Sequence, residues 1–126
     1  MIFMALLLAG QAYAPPPCTD FASGGEARCA IRDFQNADRA MLLEFDLTIT
    51  RIRNCRPRNA TGCFNRQRAI LLVTREQQSW VAWRNAHCDL VAFGMEGTSG
   101  EGQVRMDCRA RLTLARTKEL KAMGRN

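Results

Sequence analysis

Six cysteines, Cys18, Cys29, Cys55, Cys63, Cys88 and Cys108, constrain this 126-residue chain more than any other feature. A single domain of this length buries well under three quarters of its unfolded surface, so its core is modest and crosslinks matter to it. An even number of cysteines suits a disulfide framework wherever the compartment is oxidising. Six cysteines allow fifteen pairings, and counting alone does not choose among them.

The N-terminus points to such a compartment. "MIFMALLLAGQAYA" is an apolar run ending in Ala12-Tyr13-Ala14, the small-x-small form of a signal-peptidase site. Residues 1–14 are therefore expected to be a signal peptide. Cleavage after Ala12, with Gly10 at the third position back, is the alternative that keeps Pro15 away from the cut. The run falls short of the roughly 18 apolar residues that a transmembrane anchor needs. Cys18 follows "PPP" rather than the small residues of a lipoprotein site. The expectation is a periplasmic or secreted protein whose folded part is residues 15–126.

Within that part, helical spacing dominates. Apolar residues recur at Ile31, Phe34, Met41, Phe45, Ile49 and Ile52, predicting a first helix that ends near Arg53. Ser23 and Glu26 fit a capping box at its start. "NCRPRNATGC" interrupts the period with Pro57 and Gly62. A second helix is predicted from about Asn65 to Phe93, with Ile70, Val73, Trp80 and Val91 on one side. The glycine-rich "GMEGTSGEG" turns the chain into a third, from about Gln103 to Met123, with Leu112, Leu120 and Met123 together. No useful strand-like alternation and no repeat is present. The fold class is all-α, a three-helix up-down-up bundle stapled by disulfides.

The net charge of +6 is unevenly spread. Residues 15–50 balance to −3 and residues 69–126 to +3, whereas residues 51–68 hold six arginines and no acid. Arg51, Arg53, Arg56, Arg58, Arg66 and Arg68 thus form an Arg-rich inter-helix loop and are the candidate binding residues. Arginine outnumbers lysine sixteen to two, so part of this bias is general to the chain.

The stretch "QQSWVAWRNAHC", residues 77–88, holds both tryptophans and the only histidine. At 100° per residue Gln77, Trp80, Arg84 and Cys88 share the apolar side of the second helix, with Trp83 and His87 on its flank. A buried arginine keeps its charge and needs a hydrogen-bonded partner. Asp38, on the apolar side of the first helix, is the expected partner of Arg84 in an antiparallel hairpin folded near residue 59 or 60. Arg116, between Leu112 and Leu120, competes for the same carboxylate.

Gln77-x-x-Trp80-x-x-Trp83-Arg84-x-x-x-Cys88, then Gly97-Thr98-Ser99, Cys108 and "LTLARTKEL", resembles the LprI-like lysozyme-inhibitor family. Cys18, Glu26, Cys29 and Asp38 fall where that family has paired N-terminal cysteines, a glutamate and a helix aspartate. The resemblance covers nearly all of residues 15–126. The departures are the Arg-rich insert with Cys55 and Cys63, Trp83 in place of the commoner tyrosine, and His87 in place of an acid. What the resemblance implies is a helical envelope protein that binds and blocks lysozyme. Common animal lysozymes are strongly basic, so this basic chain would meet them against a like-charged field. An arginine of the loop reaching an acidic cleft is the way such binding is expected to work. The expected cysteine pairing follows sequence order: Cys18–Cys29, Cys55–Cys63 and Cys88–Cys108.

Enzymatic function is not expected. Ser79, His87 and Asp89 do not share a helical face, and no other base accompanies a nucleophile. His87 and Cys88 would hold a metal only if the thiol were free. "GTSGEG" lacks the lysine of a phosphate-binding loop, and no cofactor is indicated. The alternative function is non-enzymatic binding of anionic envelope polymers or lipid phosphates through the Arg-rich loop. Nucleic acid suits the charge equally, but export argues against it.

Overall fold

The computed structural model describes residues 18–19, 24–56 and 63–123. The expected signal peptide, Ser23 of the expected capping box, and Arg58 lie outside the described residues. Helix α1 spans Gly25–Asn54, α2 spans Arg66–Phe93 and α3 spans Glu101–Ala122. A 3-10 turn, Cys63–Asn65, leads into α2. There is no strand among the described residues, and the all-α expectation stands.

Local chemistry explains the boundaries. Gly24, with φ +78°, sits before α1 in the left-handed region that glycine adopts without steric cost. No side chain caps this end, and Glu26 instead places a negative charge in the first turn, where the helix dipole favours it. At α2 the Asn65 carboxamide oxygen accepts the Arg68 N–H at 3.0 Å, which satisfies one of the unpaired donors there. Between α2 and α3, Gly97 supplies a second positive φ of 78° and the Thr98 hydroxyl donates to the Met95 carbonyl at 2.6 Å. The glycine-rich turn is therefore as tight as its sequence implies.

The helices run up, down and up, but not as neighbours in chain order. α1 lies chiefly along α3, α2 also packs on α3, and α1 touches α2 only lightly. The expected antiparallel α1–α2 hairpin is present, with Asp38 on Arg84, but the closest backbone approach is between α1 and α3. The surfaces of α1 and α3 that bury are rich in small groups, with Ala30, Ala37 and Thr48 on one helix and Thr113 and Thr117 on the other. Small side chains let the two backbones approach closely. Their common direction is visible at one end, where the Thr48 hydroxyl lies 3.0 Å from the Leu120 carbonyl.

The buried seam also differs from the predicted stripes. On α1 it follows Ala30, Ala37, Met41, Glu44, Thr48 and Ile52, while Ile31 is exposed and Phe34, Phe45 and Ile49 are half-buried. On α2 Ala92 is buried and Val91 is not. The core is thus narrow. Met41 and Leu120 are among its largest fully buried side chains, each contributing roughly 1.5–3 kcal/mol. Three disulfides support it, in the expected order. Cys18–Cys29 ties the leading segment to α1, Cys55–Cys63 closes the α1–α2 connection, and Cys88–Cys108 joins α2 to α3. On the chain-entropy model each contributes roughly 2.5–3 kcal/mol by restricting the unfolded chain.

Candidate functional site

Two arginines occupy the centre of the bundle. Arg84 is 4% exposed and Arg116 is 2% exposed. Arg84 Nη1 donates to Asp38 Oδ1 at 2.9 Å and to Thr113 Oγ1 at 3.0 Å, while its Nε donates to Asn85 Oδ1 at 3.1 Å. One side chain of α2 therefore holds α1 and α3 together. The expected Asp38–Arg84 pair is present, although the Asp38 side chain keeps about a third of its surface in solvent. Phe34 and Trp80 lie under the Arg84 guanidinium, with ring centroids at 4.9 and 5.4 Å, close enough for a cation–π attraction.

Arg116 does not compete for Asp38. Its Nε donates to Gln77 Oε1 at 2.9 Å, and its Nη1 donates to Glu76 at 2.9 Å and Glu119 at 3.0 Å. Trp80 lies between the two cations, 5.7 Å from Arg116. Gln77 faces Met41 Sδ at 3.5 Å with its amide nitrogen. Gln77, Arg84 and Arg116 thus form one buried polar layer, with the half-buried Trp80 between the two cations. Thr113, half of that layer on α3, escaped the sequence reading. Its signal was its position: Thr113 shares a helical face with Arg116, Thr117 and Leu120.

The Arg-rich stretch at residues 51–68 is not a loop from end to end. Arg51 and Arg53 belong to the last turn of α1, and Arg66 and Arg68 to the first turn of α2. Arg51 is turned inward. It donates through Nη2 to the Leu120 carbonyl and the Thr48 hydroxyl, both at 2.8 Å, and through Nε to the Met123 carbonyl at 3.2 Å. Nη1 lies 3.0 Å from the buried Glu44 carboxylate. Arg51 therefore caps the end of α3, whose last carbonyls have no partner within the helix. Arg53, Arg56, Arg66 and Arg68 are exposed at the same end of the bundle, with Arg66 donating to the Cys55 carbonyl. The Cys55–Cys63 bridge holds the two helix ends that carry them together.

Trp83 is 50% exposed, and its ring stacks on His87 at 5.0 Å. That places His87 on the flank of α2, and the neighbouring Cys88 is disulfide-bonded. No group of three or more His, Cys, Asp or Glu side chains that could hold a metal occurs among the described residues. On the outer side, Asp89 pairs with Arg105 at 2.9 Å and with Arg109 at 3.5 Å, linking α2 to α3 across the surface.

The family model described as Lysozyme inhibitor LprI matches residues 18–120, which takes in α1, α2, α3 as far as Leu120 and all six cysteines. An uncharacterized protein of Rhizobium meliloti (strain 1021) is 26% identical over 95 residues, or 75% of this chain and 68% of the relative. No solved structure matches the chain.

Proposed function

We propose that this chain, which belongs to the LprI lysozyme-inhibitor family, works outside the cytoplasm as a non-enzymatic binder that blocks lysozyme. The observation that carries the reading is the extent of the family match, which spans the helical body from Cys18 to Leu120. Three disulfides fit an oxidising, extracytoplasmic setting. No described helix is long and apolar enough to cross a membrane.

The blocking surface in this reading is the exposed arginine end of the bundle, formed by Arg53, Arg56, Arg66 and Arg68. Lysozyme hydrolyses its substrate with a pair of carboxylates in a cleft. A guanidinium placed there makes paired, charge-assisted hydrogen bonds to them. The α1 and α2 ends, held by Cys55–Cys63, present these arginines on a support of restricted freedom, which lowers the ordering cost of binding. The buried arginines take no part; they hold the support in shape.

The test is a titration of muramidase activity with the oxidised protein, comparing the parent with the triple variant Arg53→Gln, Arg56→Gln, Arg68→Gln. Interfaces concentrate their energy in few residues, so the variant should lose at least about tenfold in potency while its helical circular dichroism is unchanged. A variant as potent as the parent would move the interface elsewhere on the bundle. A parent that leaves lysozyme untouched, yet is retained on an anionic envelope polymer in a salt-dependent way, would replace inhibition by polymer binding.

A further inference from the structure

We propose that the outer side of α2 from Ser79 to Phe93 is a second contact with lysozyme, an apolar strip on which the enzyme's basic surface rests while the arginine end reaches its cleft. The inference rests on the inhibitory reading above. A solvent-facing helix side is ordinarily charged or polar. This one is apolar. At 100° per residue Ser79, Ala86, His87 and Leu90 fall within about 60° of Trp83, and Phe93 within about 80°. Leu90 is 70% exposed and Phe93 65%, and Ser79 and Ala86 are exposed with them. Between Gln77 and Phe93 the charged side chains are Arg84, which is buried, and Asp89, at the edge of the strip. Single exposed leucines are ordinary, but tryptophan, leucine and phenylalanine on one side, with no charge between them, match the core of an interface.

The charges around the strip select a basic partner. Residues 76–101 hold four acids, Glu76, Asp89, Glu96 and Glu101, and one basic group, the buried Arg84. Arg105, Arg109 and Arg116 of α3 pair with three of these acids, yet the acids stand further out. The Glu76 and Asp89 side chains are 54% and 57% exposed, against 2% for Arg116, 27% for Arg105 and 21% for Arg109. Glu96, in the turn after α2, is exposed as well. The strip therefore has an acidic rim although the chain as a whole carries +6. A basic enzyme meets opposite charge here, which favours both its approach and its register.

The strip and the arginine end share one side of α2. Arg68 and Leu72 also fall within about 60° of Trp83, and about 22 Å of helix separates Arg68 from Trp83. A standard interface covers about 800 Å² on each partner, a disc roughly 32 Å across. One lysozyme molecule can therefore take a guanidinium into its cleft and lie on Trp83 at once. The indole is held ready by its stacking on His87, so binding has little to order. Trp83 is the main anchor of the contact, since tryptophan is over-represented among the residues that dominate interfaces.

Binding of a basic animal lysozyme to the oxidised chain, measured by surface plasmon resonance beside muramidase inhibition, tests the contact. Trp83→Ala and Leu90→Arg should each weaken both by at least about tenfold. Helical circular dichroism should not change, because both side chains are exposed. Trp83→Phe keeps an aromatic face and should stay within about threefold of the parent. Glu96→Lys should slow association, and the slowing should fade as salt rises. If the parent inhibits and the triple arginine variant does not, while Trp83→Ala and Leu90→Arg bind like the parent, the strip is overturned and inhibition through the arginine end stands. A parent that does not bind lysozyme overturns both. Sedimentation equilibrium adds one further outcome: a parent dimer that Leu90→Arg converts to monomers would assign the strip to a second copy of the chain and overturn the lysozyme contact.

Discussion

Arg84 and Arg116 lie inside the bundle, each ringed by acceptors and an aromatic face, whereas Arg53, Arg56, Arg66 and Arg68 stand in solvent at its end. The side-chain chemistry is identical; the surroundings are not. A guanidinium taken out of water loses hydration and must recover it from fixed partners, so it fixes the position of whatever supplies them. Left in water it keeps its hydration, costs the fold little, and is free to meet a partner. The charge of +6 therefore says little about function until each arginine has been placed. Arg51 shows the point within a single run of sequence: two positions from exposed Arg53, it is spent on the carbonyls of α3.

The largest expected effect comes from breaking the inner set. Arg84→Ala removes a charged side chain of α2 that joins α1 and α3, and it empties the space against Phe34 and Trp80. Urea denaturation should show a loss of about 3–5 kcal/mol. Asp38→Ala strands the buried cation instead. Because the Asp38 site is partly open, water can hydrate Arg84 there, and the loss should be smaller, about 2–3 kcal/mol. Asp46→Ala, on the exposed side of α1, should stay within about 0.5 kcal/mol. Equal small losses at all three positions would erase the distinction between inner and outer charges.

The inner layer was largely legible in the sequence, and the reason is geometric. Gln77, Arg84 and Cys88 repeat at helical spacing among apolar residues, with the half-buried Trp80 beside them, so their burial follows from α2 being a helix. The pairing of Asp38 with Arg84 follows from burial plus the rule that such a cation needs an acceptor. What the sequence did not reveal was which helices are neighbours. The predicted hairpin placed α1 against α2, and Asp38 does meet Arg84 there, but α1 packs more closely on α3, because closeness is decided by how two surfaces fit. Ala30, Ala37, Thr113 and Thr117 read as weak hydrophobic signals although they permit the closest approach. The same blindness to small residues made Ile31 and Val91 look like core and hid Ala92. Arg51 was misjudged because its charge run continues outward while its helical position faces α3.

A smaller effect sharpens the comparison at that boundary. Arg51→Gln removes two hydrogen bonds to the last carbonyls of α3, one to the Thr48 hydroxyl of α1, and the ionic partner of buried Glu44. A loss of about 1–3 kcal/mol in denaturant stability is expected. Arg53→Gln and Arg56→Gln, its neighbours in the same cluster, should each fall within about 0.5 kcal/mol. If all three behaved alike, the division of the Arg-rich stretch into a structural and an exposed part would fail.

The smallest effect concerns an acid rather than an arginine, and asks whether a largely exposed charge follows the same logic. The pKa of Asp107 is raised, first by the hydration it loses beside α1 and second by Asp33 facing it. Unlike Arg84 it has no cation to offset that loss. A carboxyl whose folded pKa lies above its unfolded value binds protons more readily in the folded state. Its ionisation therefore works against folding, and this contribution to stability falls as pH rises from the unfolded value, near 3.9, through the raised folded value. Asp107→Asn carries no such charge. The variant should melt slightly higher than the parent at pH 7, and the gap should close as pH falls below about 3.5. Asp33→Asn relieves only the second cause and should give a smaller gain over the same window. A parent that matches or exceeds Asp107→Asn at pH 7 would mean that the carboxylate has found a cationic partner in the folded monomer.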